Sequence, residues 1–144
     1  MAALVVALTL TACAGNVRVP DPAPSGAAAK ACTALMPALP GSVLDSKRRT
    51  VTPGRFSAAW GKPPISLRCG VDKPPGLTAA SECFEVNGVG WYAERAATGY
   101  LFTTIGRTAY VEVGVPSHYA PEANALVDLA AAVSTHDPLL QPCR

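Results

Sequence analysis

Cys13 is the residue whose type and setting carry the clearest chemistry in this chain. It closes Leu10-Thr11-Ala12-Cys13, directly behind an apolar run from Ala2 to Leu10. A thiol is needed to carry a lipid as a thioether, and small residues before it admit a peptidase to the bond it must cut. The run is shorter than the roughly 20 apolar residues that a permanent membrane span needs. It fits the core of a cleaved signal instead. The sequence therefore predicts removal of residues 1–12 as a signal peptide, a diacylglyceryl group on Cys13, and a protein held on the extracytoplasmic face of the cell membrane. Plain secretion after ordinary cleavage and a cytoplasmic chain with an N-terminal helix are the alternatives. No Lys or Arg precedes Cys13, which fits a start codon upstream of Met1. A single acyl chain anchors weakly, so the two or more chains of a lipoprotein cysteine are what make Cys13 a sufficient membrane partner.

Five cysteines are an odd number, and in an exported chain the odd one needs a role. Lipidation of Cys13 supplies it. Cys32, Cys69, Cys83 and Cys143 then remain for two disulfides, with three possible connectivities. The expected pairing joins neighbours, Cys69 with Cys83, and ties the ends of the domain through Cys32 and Cys143. A metal site is not expected, since no CxxC pair exists and neither His118 nor His136 has ligand spacing to a cysteine. No cofactor is implied.

Other chemistry-bearing residues form no catalytic constellation. His118 follows a β-rich run, but no Gly-x-Ser-x-Gly elbow accompanies it. His136, beside Asp137, suits the end of a helix. Glu82, Glu85, Glu94 and Glu112 fit strand-surface charge better than a glycosidase pair. Candidate binding residues are Trp60 and Trp91, by stacking, Arg68 and Arg107, by anion contact, and Asn87 in a turn. Core packing is the expected role of the tryptophans, and carboxylate pairing with Glu85 or Glu112 that of the arginines.

The net charge of +2 says little, but its distribution says more. Seven basic residues lie between Lys47 and Lys73 against Asp72 alone, whereas three arginines face seven acids from Pro74 onward. Mutual neutralisation across a sheet is expected. A basic face for anionic lipid headgroups or wall polymers is the alternative. No aromatic residues interleave with the basic ones as nucleic-acid binding requires.

These residues must be positioned by modest elements. Residues 13–26 carry Pro20, Pro22 and Pro24 and read as an extended linker reaching at most about 40 Å from the membrane. A single domain over 27–144 follows. Helical spacing predicts a helix from Ala27 to about Met36, stopped by Pro37, and another from Pro121 to about Thr135, with Leu126, Val127, Ala130 and Val133 inward and Leu129 at the margin. Lys47-Arg48-Arg49 reads as a turn. Alternation marks strands near Arg55–Trp60, Ile65–Cys69, Tyr100–Ile105 and Thr108–Val115. Asn87-Gly88 between Phe84-Glu85-Val86 and Val89-Gly90-Trp91 is the strongest hairpin signal. The fold class is α+β, an antiparallel sheet of about five strands with the two terminal helices packed on one face.

Ala59-Trp60-Gly61, Leu67-Arg68-Cys69-Gly70, Val86-Asn87-Gly88-Val89 with Trp91, Phe102-Thr103-Thr104, Val111-Glu112-Val113 and Leu126-Val127-Asp128-Leu129-Ala130 together resemble the actinobacterial family called domain of unknown function 3515. The resemblance runs from Cys32 to Cys143. It implies an exported or lipoprotein-like chain and no activity. Gly90 stands where an acidic residue is expected. The function expected is a membrane-tethered, non-enzymatic envelope module that binds or assists an envelope protein, glycan or lipid. An envelope hydrolase or transferase and a small-ligand carrier are the alternatives.

Overall fold

The computed structural model describes residues 15–143, so Leu10–Cys13 lies outside the described residues. The chain runs β1 (Val17–Val19), α1 (Gly26–Ala38), β2 (Ser42–Val43), β3 (Ser46–Arg49), β4 (Val51–Pro53), β5 (Ser57–Trp60), β6 (Ile65–Val71), β7 (Phe84–Val86), β8 (Val89–Ala96), β9 (Gly99–Thr104), β10 (Tyr110–Pro116) and α2 (Ala125–His136). The main sheet has eight strands in the order β2-β3-β5-β6-β10-β9-β8-β7, rather than about five. Its pairs are all antiparallel. The added strands β2 and β3 are two and four residues long and join through Leu44 and Asp45 at φ 47° and 59°. This positive-φ turn lacks the Asn-Gly signature. Lys47-Arg48-Arg49 is accordingly strand, not turn.

One face of the sheet is dry. Ala58, Trp60, Ile65, Leu67, Cys69, Val89, Trp91, Phe102, Val111, Val113 and Val115 pack with Cys32 and Leu35 of α1 and Leu126, Leu129 and Val133 of α2. The buried stripe of α2 has i, i+3, i+4, i+7 spacing, which takes in Leu126, Leu129, Ala130 and Val133. Leu129 is thus fully buried and Val127 is half exposed, the reverse of the sequence expectation. Residues 122–124 form a short 3-10 turn that delays α2 to Ala125. Among the described residues, no helix is long and apolar enough to cross a membrane.

The disulfides join Cys32 to Cys69 and Cys83 to Cys143, with Cα–Cα distances of 5.6 and 5.7 Å. The expected connectivity is therefore corrected. Cys69 follows Ile65 and Leu67 onto the helix side of β6, where Cys32 of α1 meets it. Cys83, at the start of the β7–β8 hairpin, meets the tail that Gly106 straps down through hydrogen bonds to the Leu140 and Gln141 N–H groups.

The Pro-rich segment is not a free spacer. β1 pairs in parallel with β4. Asp21 accepts from the Arg55 N–H at 2.8 Å and from the Ser57 hydroxyl. Pro24 occupies the place a Cβ would take at Gly70, whose φ is +89°. Prolines exclude the segment from helix and central sheet, yet its N–H and carboxylate groups still dock it along the domain. Both of these disulfides and the core cluster described above lie within residues 15–143.

Candidate functional site

Strand alternation sends even-numbered residues of β6, β8 and β10, and odd-numbered ones of β5 and β9, to the face away from the helices. Register then aligns them. Ser57 sits opposite Arg68, Arg68 opposite Glu112, Glu112 opposite Thr103, and Thr103 opposite Tyr92. This polar row crosses five strands, about 19 Å at the usual strand spacing. A second row, Ala59, Ser66, Gly114, Leu101 and Glu94, runs beside it. Its first three side chains are small or absent, which hollows the floor.

Two covers turn this face into a trough. The β1–β4 ribbon lies over β5, which is why Ser57 and Ala59 are buried on the side opposite the core. The Pro74–Gly76 loop approaches Tyr92 and Glu94 at the far edge. Between them lies a cavity of about 690 Å³ lined by Pro22, Arg68, Lys73, Glu94, Leu101 and Glu112, and it continues along β1 past Arg18 and Ser66.

Arg68 Nε donates to Glu112 Oε1 at 3.0 Å, and Nη2 stands 2.9 Å from the same oxygen as an ion-pair contact. That geometry leaves Nη1 and the other carboxylate oxygen for a ligand. Beneath them, the Thr103 hydroxyl is buried without a hydrogen-bond partner. Partial burial, then the neighbouring Glu94, raises the Tyr92 hydroxyl above its ordinary value, and the hydroxyl donates to Glu94 Oε1 at 3.5 Å. Arg68 and Lys73 face Asp72, Glu94 and Glu112, so the trough is mixed in charge with a slight acidic excess. Such a lining suits a hydrogen-bonding contact more than capture of a bare anion.

The sequence candidates separate cleanly. Trp60 and Trp91 are both fully buried in the core, and Trp60 Nε1 donates to the Pro40 carbonyl at 2.9 Å. Neither offers a face for stacking. Arg107 is buried and donates to the carbonyls of Asp137 and Gly88. Its partners are backbone oxygens instead of the expected Glu85 or Glu112. Asn87 is exposed in the β7–β8 turn at φ 47°, with Gly88 at 82°, as a type I′ turn requires. Only Arg68 belongs to the trough. His118 is exposed in the short 3-10 turn after β10, packs edge-on to Tyr119 and does not line the trough. Glu112, Tyr92, Thr103 and Ser57 were not singled out as binding residues, because alternation assigns faces but register alone aligns rows.

A smaller hollow of about 400 Å³ lies beside Cys83 and Cys143, lined by Leu77, Ile105, Tyr110 and Gln141. Lys73 is its one charged group, so it lacks the opposed charges of the trough.

The family model for a protein of unknown function (DUF3515) matches residues 1–140. No curated protein and no solved structure matches the chain.

Proposed function

Because the chain belongs to this family of unknown function, its role has to be argued from its own residues, and we propose a lipid-tethered, non-enzymatic binding module on the extracytoplasmic face of the cell membrane. The contact surface is the trough on the open sheet face, and its partner is another envelope component. The observation that carries this reading is the Arg68–Glu112 pair at the middle of the polar row, with Glu94 beside it, all three lining the trough. They set donors and acceptors side by side, while the histidines lie off the sheet.

The cysteines support the tether. Four of the five are spent in two disulfides, which suit an oxidising compartment and leave Cys13 outside them. Cys13 in turn stands where lipid attachment requires it.

The test combines two measurements in cells. Mass analysis of the native amino-terminal peptide is expected to find acylated Cys13, and Cys13→Ala is expected to leave the membrane fraction. A photo-crosslinking residue at Ser66 is expected to give one reproducible envelope adduct that the same probe at Val127, on the exposed side of α2, does not give. An unmodified Cys13, or identical adducts from both positions, overturns the reading.

A further inference from the structure

Among the described residues the basic stretch from Lys47 to Lys73 and the acidic stretch from Pro74 onward neutralise each other only in part, through one pair across the sheet. Residues 15–67 hold seven Lys or Arg against two acids, and residues 68–144 hold five against eight. Among the described residues the one ion pair is Arg68–Glu112. Arg18, Lys47, Arg48, Arg55 and Lys62 are all exposed. The surplus positive charge therefore stays at the surface.

Part of it surrounds the point where the chain enters the domain. Arg49 donates from Nη2 to the Gly15 carbonyl at 2.7 Å and from Nη1 to the Gly61 carbonyl at 3.1 Å. The Gly61 N–H donates to the Lys47 carbonyl at 3.0 Å, and Lys62 follows. Gly15, Lys47, Arg49 and Lys62 thus share one corner. Arg18 lies three residues beyond Gly15, exposed at the rim where the trough continues along β1, while Val19 points in. Cys13 is two residues before Gly15, a reach of at most about 7 Å. Docking of β1 removes the slack that a free linker would supply.

We propose that this corner is a docking surface for an anionic bilayer: Arg18, Lys47 and Lys62 meet the phosphates of acidic lipid headgroups, so the domain lies flush with the membrane and its trough takes a fixed orientation. The orientation rests on the lipid-tether reading, whereas the charge contact does not. A basic residue near an anionic leaflet contributes about fivefold in affinity, and three together about 100-fold at low salt.

The test uses residues 13–144 with Cys13→Ser, which carries no lipid and retains every described residue. It is sedimented with phosphatidylcholine vesicles, with or without one third phosphatidylglycerol. Binding is expected only with phosphatidylglycerol, and is expected to weaken as salt rises. Arg18→Gln/Lys47→Gln/Lys62→Gln is expected to lose about 100-fold. Lys30→Gln/Arg95→Gln, on exposed residues away from this corner, is expected to bind almost as wild type. Intact disulfides and an unchanged unfolding midpoint verify that the triple variant is folded, and Arg18→Gln alone is expected to show a partial loss. Equal binding to both vesicle types, or equal losses in the triple and control variants, overturns the proposal. An unacylated Cys13 in native protein would remove the fixed orientation and leave this binding result standing.

Discussion

Arg107 donates from Nη1 to the backbone carbonyl of Asp137 at 2.7 Å, and not to its carboxylate. Nη2 reaches the Gly88 carbonyl at 3.0 Å. The Asp137 carboxylate instead accepts from the Ala109 N–H at 2.9 Å through Oδ1, while Oδ2 is buried without a partner. One arginine and one aspartate thereby tie the end of α2, the β9–β10 connection and the β7–β8 turn into a single buried joint.

Burial raises the Asp137 carboxyl from 3.8 to about 6, against the lowering effects of the Ala109 N–H and Arg107. The folded state therefore holds a proton that the unfolded chain releases. The resulting stability is fully present below pH 3.8 and is lost as pH rises through about 6. Two units correspond to at most about 3 kcal/mol. Asp137→Asn, which keeps the acceptor and removes the titration, is expected to flatten the stability profile between these limits. Urea unfolding across that range checks it. A wild-type profile as flat as the variant's contradicts the assignment.

Gly90 is fixed by the second disulfide. A Cβ there would sit 2.6 Å from Cys143 Sγ and 2.9 Å from Cys83 Sγ. Gly90→Ala is expected to cost about 1–3 kcal/mol by overpacking. In the Cys83→Ser/Cys143→Ser background, where the pair can separate, the added cost is expected to shrink. A double-mutant cycle by thermal unfolding measures the coupling. Independent, additive effects would show that the sulfurs do not set this position.

Much of the sheet was legible because its strands alternate. Ile65, Leu67 and Cys69, and Val111, Val113 and Val115, face the core as their period requires. The Asn87-Gly88 turn was legible because few residue pairs tolerate two positive φ angles. The short β1–β4 ribbon was not, since three-residue strands offer no period and Pro20 suggests an open linker. Nor was the disulfide pairing, because sequence separation does not report which strand Cys32 of α1 will face. The trough was half legible: Arg68 and Glu112 were visible as outward charges, but their common row depends on register.

The two tryptophans, equally buried, differ in what surrounds the indole N–H. Trp60 Nε1 donates to the Pro40 carbonyl, whereas Trp91 Nε1 has no partner. Trp60→Phe loses a made hydrogen bond along with packing. Trp91→Phe loses packing but removes an unsatisfied donor whose burial costs about 1–3 kcal/mol. Trp91→Phe is therefore expected to be the milder change in urea unfolding. The reverse order would imply that the Trp91 N–H has a partner, such as an ordered water.

Arg68→Met tests the trough without the core. The pair with Glu112 is partly solvated, and such pairs contribute about 0–1 kcal/mol. Stability is expected to change by no more than this, while the adduct from a probe at Ser66 is lost. Arg68→Lys keeps the charge but not the planar guanidinium whose Nε bonds Glu112, and is expected to restore the adduct only in part. Full restoration by lysine would mean that charge alone governs the contact.

Asp21 is the clamp on the N-terminal segment, holding both the Arg55 N–H and the Ser57 hydroxyl. Asp21→Ala removes both bonds where Ser57 is buried, at an expected cost of about 1–3 kcal/mol. The larger effect is local. Once β1 lifts from β4 and β5, the dozen residues after Cys13 regain the reach of a linker, up to about 40 Å. Limited proteolysis is expected to cut residues 15–24 in the variant and spare them in wild type, with the disulfide-bonded body intact in both. If cleavage is equally slow, the β1–β4 pairing holds the segment without Asp21, and the proposed close approach of the domain to a membrane would depend on those backbone hydrogen bonds instead.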